Sequence, residues 1–154
     1  MLAEYVAESL FRVEPLVAGR AAAVLPFIRL FEPGLTQERW RDFVRSFAKA
    51  GAGGLMIIQD RRGYVHGVFS CRPAYSIGHG RVLRVADVVL PRLPGTATLR
   101  TFLDGVKQLA ADFGCNAVLI ELGERTRHIR SDLESLSDTG FSASAITYCC
   151  PVPA

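Results

Sequence analysis

Two carboxylates stand on otherwise apolar runs of this 154-residue chain, and they are the side chains best suited to proton chemistry. Asp87 lies in RVLRVADVVL, where strand alternation puts it on one face with Val85 and Val89. Glu121 stands in NAVLIEL and shares a face with Ala117 and Leu119. A carboxylate on an apolar strand is costly to bury unless paired, so each is a candidate base with a raised pKa. A salt bridge, or a strand end open to water, accounts for each equally simply. His128 begins a short amphipathic segment, where a neutral imidazole could act as base or merely sit on a helix surface. His66, beside Gly67, reads as structural or substrate-facing. Neither Cys149 nor Cys150 has an identifiable His/Asp partner, which leaves a thiol nucleophile without support.

Between the two acids the chain runs through PRLPG into TATLRTFLDGVKQLAADFGC, a strongly amphipathic helix. A strand, a small-residue loop and a helix start put unpaired backbone N–H groups where an anion can dock. Arg92, Gly95 and Ala97 fit an Arg/Gln-x-x-Gly-x-Gly/Ala pattern, which points toward a diphosphate-bearing cofactor. Counting back from Gly114 gives a second register, with Thr96 and Thr98 at the glycine positions and no role for Arg92. Either threonine could instead cap the helix, and PRLPG could be a plain turn.

The elements that must position these groups follow from periodicity. LFRVEPL is a first short strand. Val24, Phe27, Ile28 and Phe31 form one helical stripe, and Trp40, Phe43, Val44 and Phe47 form a second, N-capped by Thr36 and stopped by GAGG. Leu55 to Ile58 and Tyr64 to Ser70 are strands around a DRRG turn, with Gly67 marking a bulge or a close approach. A loop with Pro73, Gly78 and Gly80 leads to the strand at about 81–90. After the main helix, which Gly114 closes, NAVLIEL is another strand. Ile129, Leu133 and Leu136 mark a short helix ending at Gly140, and FSASAITYCC is a last strand. The order β-α-α-β-β-β-α-β-α-β implies one α/β domain with a mixed, mostly antiparallel sheet flanked by helices.

Composition excludes several classes. A net charge of +3, evenly spread, is too small for a nucleic-acid footprint. Arg125, Arg127, His128 and Arg130 are flanked by Glu124 and Asp132 and read as a solvated helix start. The N-terminus lacks the basic and apolar regions of a signal peptide, and no apolar run reaches a membrane span. The four cysteines show no zinc spacing, so no metal is expected. Cys115 reads as a buried inert thiol, and the set suits a reducing cytoplasm.

In this order the hairpin LMIIQDRRGYVHGVFSC, the unit VADVVLPRLPGTATLRTFLDGVKQLAADFGCNAVLIEL and the junction SLSDTGFSASAITY resemble the GNAT acyltransferase superfamily over residues 11–148. The resemblance implies acetyl-CoA, or another acyl-CoA, as co-substrate and acetyl transfer to a primary amine of a small molecule or peptide. It implies that Val88, Val89 and Leu90 line the pantetheine arm and that Gly95, Thr96, Ala97, Thr98 and Leu99 offer N–H groups to the diphosphate, with Arg92 beside them. The N–H near Val89 would polarise the thioester. Asp87, Glu121 or His128 would serve as base. Leu136 stands where the family often has an acidic tyrosine; Tyr148 is the nearest phenol in sequence. The last strand could pair across a homodimer. A non-catalytic module of the same fold, binding acyl-CoA or a protein partner, is the alternative, and an unrelated α/β structural domain is the third reading.

Overall fold

The computed structural model describes residues 10–49, 51, 53–92, 97–136, 138–144 and 149–153. Strand β1 (Phe11–Pro15) is followed by α1 (Ala21–Arg29) and α2 (Gln37–Ala48). Thr36 caps α2 as its spacing predicts, its hydroxyl accepting from Arg39 N at 3.2 Å. Strand β2 (Gly54–Asp60) turns at Asp60–Gly63 into β3 (Val65–Ser76), and β4 (Gly80–Val89) returns beside it. Helix α3 (Ala97–Asp112) crosses over to β5 (Ala117–Ile120), and α4 (Arg127–Ser135) follows. Gly114, at φ +66°, closes α3, with Cys115 N bonded back to Ala110 O at 2.8 Å.

The strands form one sheet in the order β1-β2-β3-β4-β5, antiparallel except for the parallel β4–β5 pair that the α3 crossover requires. Alternation sends one set of side chains under α3 and α4. There Phe69 and Phe102 meet edge to face at 5.1 Å, packed with Leu83, Val85, Val106 and Ile129. The opposite face of β2 and β3 buries Leu55, Ile57 and Val68 against Val24, Ile28 and Trp40 of α1 and α2. Helix α3 lies close on β1 because Gly105 has no side chain; a Cβ there would stand 2.5 Å from Val13 Cγ2. Gly67 is a close approach and sits beside a bulge: the β2–β3 register slips between Ile58 and Gln59, and a Cβ on Gly67 would stand 3.0 Å from both Ile58 Cδ1 and Leu90 Cδ1.

Three expectations are corrected. Strand β3 does not end at Ser70 but runs to Ser76, with Pro73 opposite Leu83. Past Cys71, β3 has lost β2 and pairs only with β4, so a proline is tolerated on its free edge. Cys115 is only half-buried, whereas Cys71 is 1% exposed and burial pushes its thiol pKa up. In the anticipated last strand, residues 141–144 and 149–150 are irregular, and residues 145–148, including Tyr148, lie outside the described set.

Candidate functional site

Strands β4 and β5 separate within the sheet. Their parallel ladder runs from Val82–Ala117 to Val85–Ile120, with Glu121 N donating to Val85 O at 2.8 Å. Beyond that point β4 continues along β3 as far as Val89, opposite Val68, without β5 beside it. The main chain of β4 after Val85 is thereby left with an open side toward the end of β5.

The separation coincides with a β-bulge. Ser70 pairs with Ala86 and Val68 with Val89, so Asp87 and Val88 together face Phe69 alone. Asp87 takes φ +52°, a left-handed conformation that Asp tolerates better than most residues because its short polar side chain can bond locally. The extra residue breaks alternation and corrects the reading of this strand. Val85, Val88 and Leu90 share the α3-side core, whereas Val89 packs on the α1–α2 side. Asp87 is exposed, not embedded between Val85 and Val89. Its carboxylate accepts from Ser70 Oγ at 2.7 Å, and Ala86 O lies 3.1 Å from the same hydroxyl. Ser70 is 4% exposed and was not singled out from sequence; a lone serine inside VHGVFSC was the only signal.

Glu121 is exposed too, the first residue past β5, so neither acid is a buried carboxylate. The strand-end reading holds for Glu121 because the ladder stops at Ile120. Asp87 lies past the last β4 residue paired with β5, and Glu121 follows the last residue of β5. His128, in the first turn of α4, is half-buried with Nε2 2.7 Å from Leu90 O. A carbonyl only accepts, so Nε2 carries the hydrogen, and Nδ1 is the nitrogen left to take a proton.

The side chains of Val88 and Leu90 are buried in the core. Arg92 is exposed just past β4, whereas Gly95 and Thr96 lie outside the described residues. Ala97 is the first residue of α3, and Thr98 and Leu99 are buried in its first turn, inside the helix. Leu90, Arg92, Thr98, Leu99, His128 and Asp132 line a crevice of about 20 Å³, room for about one water. A larger cleft of about 340 Å³ runs beside Gly123, Arg127 and Arg130, but Glu124 and Glu134 pair these arginines at 2.5 and 3.0 Å. With Arg125 paired to Glu32 at 3.1 Å, the basic cluster is a solvated helix start.

The remaining sequence candidates are structural. His66 Nε2 is 3.0 Å from Asp60 Oδ2 and its ring packs edge-on against Phe11. This hydrogen bond is the main reason Asp60 sits below the usual carboxylate range. Leu136 packs against the core. All four cysteines are free, and no group of three His, Cys, Asp or Glu suited to a metal ion occurs among the described residues. No described helix is long and apolar enough to cross a membrane.

The mixed, mostly antiparallel five-stranded sheet flanked by helices matches the fold of solved GNAT acetyltransferase structures. No family model matches the sequence, and no curated protein matches it by sequence. Among solved structures, the chain is similar to AAC(6')-Iy in complex with a CoA-S-monomethyl-acetylneamine bisubstrate analogue, at 11% identity and TM-score 0.71 over 94% of this chain and 99% of that one. It is also similar to glucosamine-6-phosphate N-acetyltransferase from Arabidopsis thaliana (16% identity, TM-score 0.64, 93% and 99% covered). A transcriptional regulator from Bacillus halodurans matches as well (13% identity, TM-score 0.70, 92% and 99% covered).

Proposed function

We propose that the chain is an acyl-CoA-dependent N-acyltransferase, moving acetyl from acetyl-CoA to a primary amine of a small molecule or peptide by direct attack on the thioester. The observation that carries this reading is the divergence of β4 from β5 at the Asp87–Val88 bulge. A pantetheine arm carries amides along an extended chain, so it can pair with main-chain groups of β4 as a strand would. The start of α3 lies at the mouth of the opening and favours the diphosphate, with N–H groups of Gly95, Thr96, Ala97, Thr98 and Leu99 and the Arg92 guanidinium as the groups to hold it.

In the reaction the amine nitrogen bonds to the thioester carbon, the C–S bond breaks, and the thiolate leaves. The chain must take one proton from the amine, polarise the carbonyl and see the thiolate protonated. Asp87 and Glu121, both open to water, suit proton removal directly or through a water. The N–H near Val89 suits the carbonyl. With Leu136 in the core, water protonates the thiolate. The protein works as a single domain in the cytoplasm, with its free thiols reduced, and a homodimer through the C-terminal segment belongs to the same reading.

Two observations favour a non-catalytic module that binds acyl-CoA or a protein partner: the core position of Leu136, and a transcriptional regulator among the similar folds. Thermal shift and turnover separate the readings. Acetyl-CoA at 100 times its Kd should stabilise the protein by about 2.7 kcal/mol, roughly 5–10 °C in a chain of this size. Release of free CoA thiol with an amine panel then distinguishes enzyme from module. No thermal shift at millimolar acetyl-CoA would remove both CoA-based readings.

A further inference from the structure

One face of the diverging strands carries a charge arrangement that folding alone does not explain. Arg72 on β3 stands directly opposite Arg84 on β4. Like charges in such a cross-strand pair repel and weaken the sheet. Both side chains are exposed, and neither has a carboxylate partner among the described residues. The Arg72 guanidinium lies 4.5 Å from the centre of the Phe47 ring, which holds it at the rim of α2 and leaves its edge donors open. Arg84 has no such contact.

The face is the one opposite α3. Leu83 and Val85 point under α3 and α4, so Arg84 and Ala86 project to the other side, where α1 and α2 cover β2 and β3. Ser70, which holds Asp87, pairs with Ala86 on this same face. Leu119, the neighbour of Arg84 on β5, shares it, and so does Glu121 two residues further on. Read along the strands, the surface is a short polar strip. Two arginines stand at one end, Ala86 forms a low floor, and Asp87 and Glu121 stand at the end where the strands part. About 7 Å of β4 separates the level of Arg84 from that of Ala86.

Building on the acyltransferase reading, we infer that Arg84 and Arg72 form the specificity subsite for the acceptor and that the acceptor carries its own anionic group, a phosphate or carboxylate, several bonds from its amine. The co-substrate's diphosphate suits the start of α3 on the covered side, so the acceptor arrives from the open side. There an amine is attracted to Asp87 and Glu121. A phosphate or carboxylate on the same molecule relieves the Arg72–Arg84 repulsion through charge-assisted hydrogen bonds. A neutral amine leaves that repulsion in place.

The test compares kcat/KM for matched acceptors, glucosamine 6-phosphate against glucosamine and glycylglycine against glycylglycinamide, with acetyl-CoA saturating. The wild-type protein should favour the anionic member of at least one pair by about tenfold or more, chiefly through KM. The pair that responds tells phosphate from carboxylate. Arg84→Gln should bring the ratio close to one, Arg84→Lys should restore part of it, and Arg12→Gln, at the far edge of the sheet, should leave it unchanged. A wild-type ratio near one for both pairs, or an Arg84→Gln variant that lowers both members equally, overturns the inference. If no amine is acetylated, the acyltransferase reading fails on its own account. Calorimetric binding of the same four compounds then decides the subsite: an anion preference lost in Arg84→Gln sustains it, and no preference overturns it.

Discussion

Replacing His128 with alanine separates positioning from proton transfer at the mouth of the opening. The imidazole Nε2 donates to the carbonyl of Leu90 at 2.7 Å, and Leu90 is 3% exposed. This bond ties the first turn of α4 to the end of β4, the strand whose main chain forms one wall. Removing it deletes one hydrogen bond and strips a mostly buried carbonyl of its donor, which together cost about 1–3 kcal/mol. For a chain of this size that corresponds to a fall in Tm of roughly 2–12 °C. Glutamine, whose amide can also donate, should recover part of the loss. The assay is thermal unfolding of wild type, His128→Ala and His128→Gln, alongside acetyl-CoA turnover. An alanine variant melting within about 1 °C of wild type would refute the tether, since that change lies below the cost of any buried hydrogen bond lost. Unchanged melting with a fall in kcat of about 100-fold or more would instead assign His128 to proton transfer through Nδ1.

Three further outcomes follow from the packing. Gly105→Ala should destabilise the protein by up to about 2 kcal/mol in urea unfolding, overpacking against Val13 outweighing the helix-propensity gain, and Val13→Ala should recover much of it. With a thiol reagent, Cys149 and Cys150 should label at least roughly 100-fold faster than Cys71, which is 1% exposed and reacts only on opening; equal rates would contradict its burial. Because the folded state depresses the pKa of Asp60, its ionised form adds stability above the unfolded pKa and loses it as pH falls through the folded value. The Tm advantage of wild type over Asp60→Asn should therefore be present at neutral pH and close below about pH 4.

The element order was legible because most boundaries here are set by local chemistry. Thr36 caps, Gly114 takes a left-handed turn, and Gly63 N closes the turn onto Asp60 O at 3.0 Å. What escaped the sequence depends on neighbours. Pro73 reads as a loop residue until β3 is seen to have outrun β2. Asp87 reads as a buried acid because alternation assumes an unbroken ladder, and nothing in RVADVV announces an extra residue when Asp, not Gly, takes the positive φ. Ser70 acquires meaning only opposite that bulge. Asp87 lies on β4 past the last ladder pair with β5, Glu121 directly follows β5, and His128 bonds to the carbonyl of Leu90. The burial of the two acids was not readable, because it depends on where the β5 ladder stops.

The same logic explains why the candidate site has so faint a sequence signature. Its wall is the main chain of β4, left open where β5 ends; the end proposed for the diphosphate is a helix start; its tether is a backbone carbonyl held by His128. Backbone groups are supplied by any residue type that tolerates the local conformation, so a wall of this kind constrains shape more than residue identity. The bulge is the stricter requirement. Restoring regular alternation would turn Asp87 inward with Val85 and move Val88 to the opposite face, burying a carboxylate in the α3 core while taking a valine out of it. Asp87 thus enforces the bulge as much as it occupies it: its charge makes the unbulged register costly, and Ser70 receives its carboxylate in the bulged one.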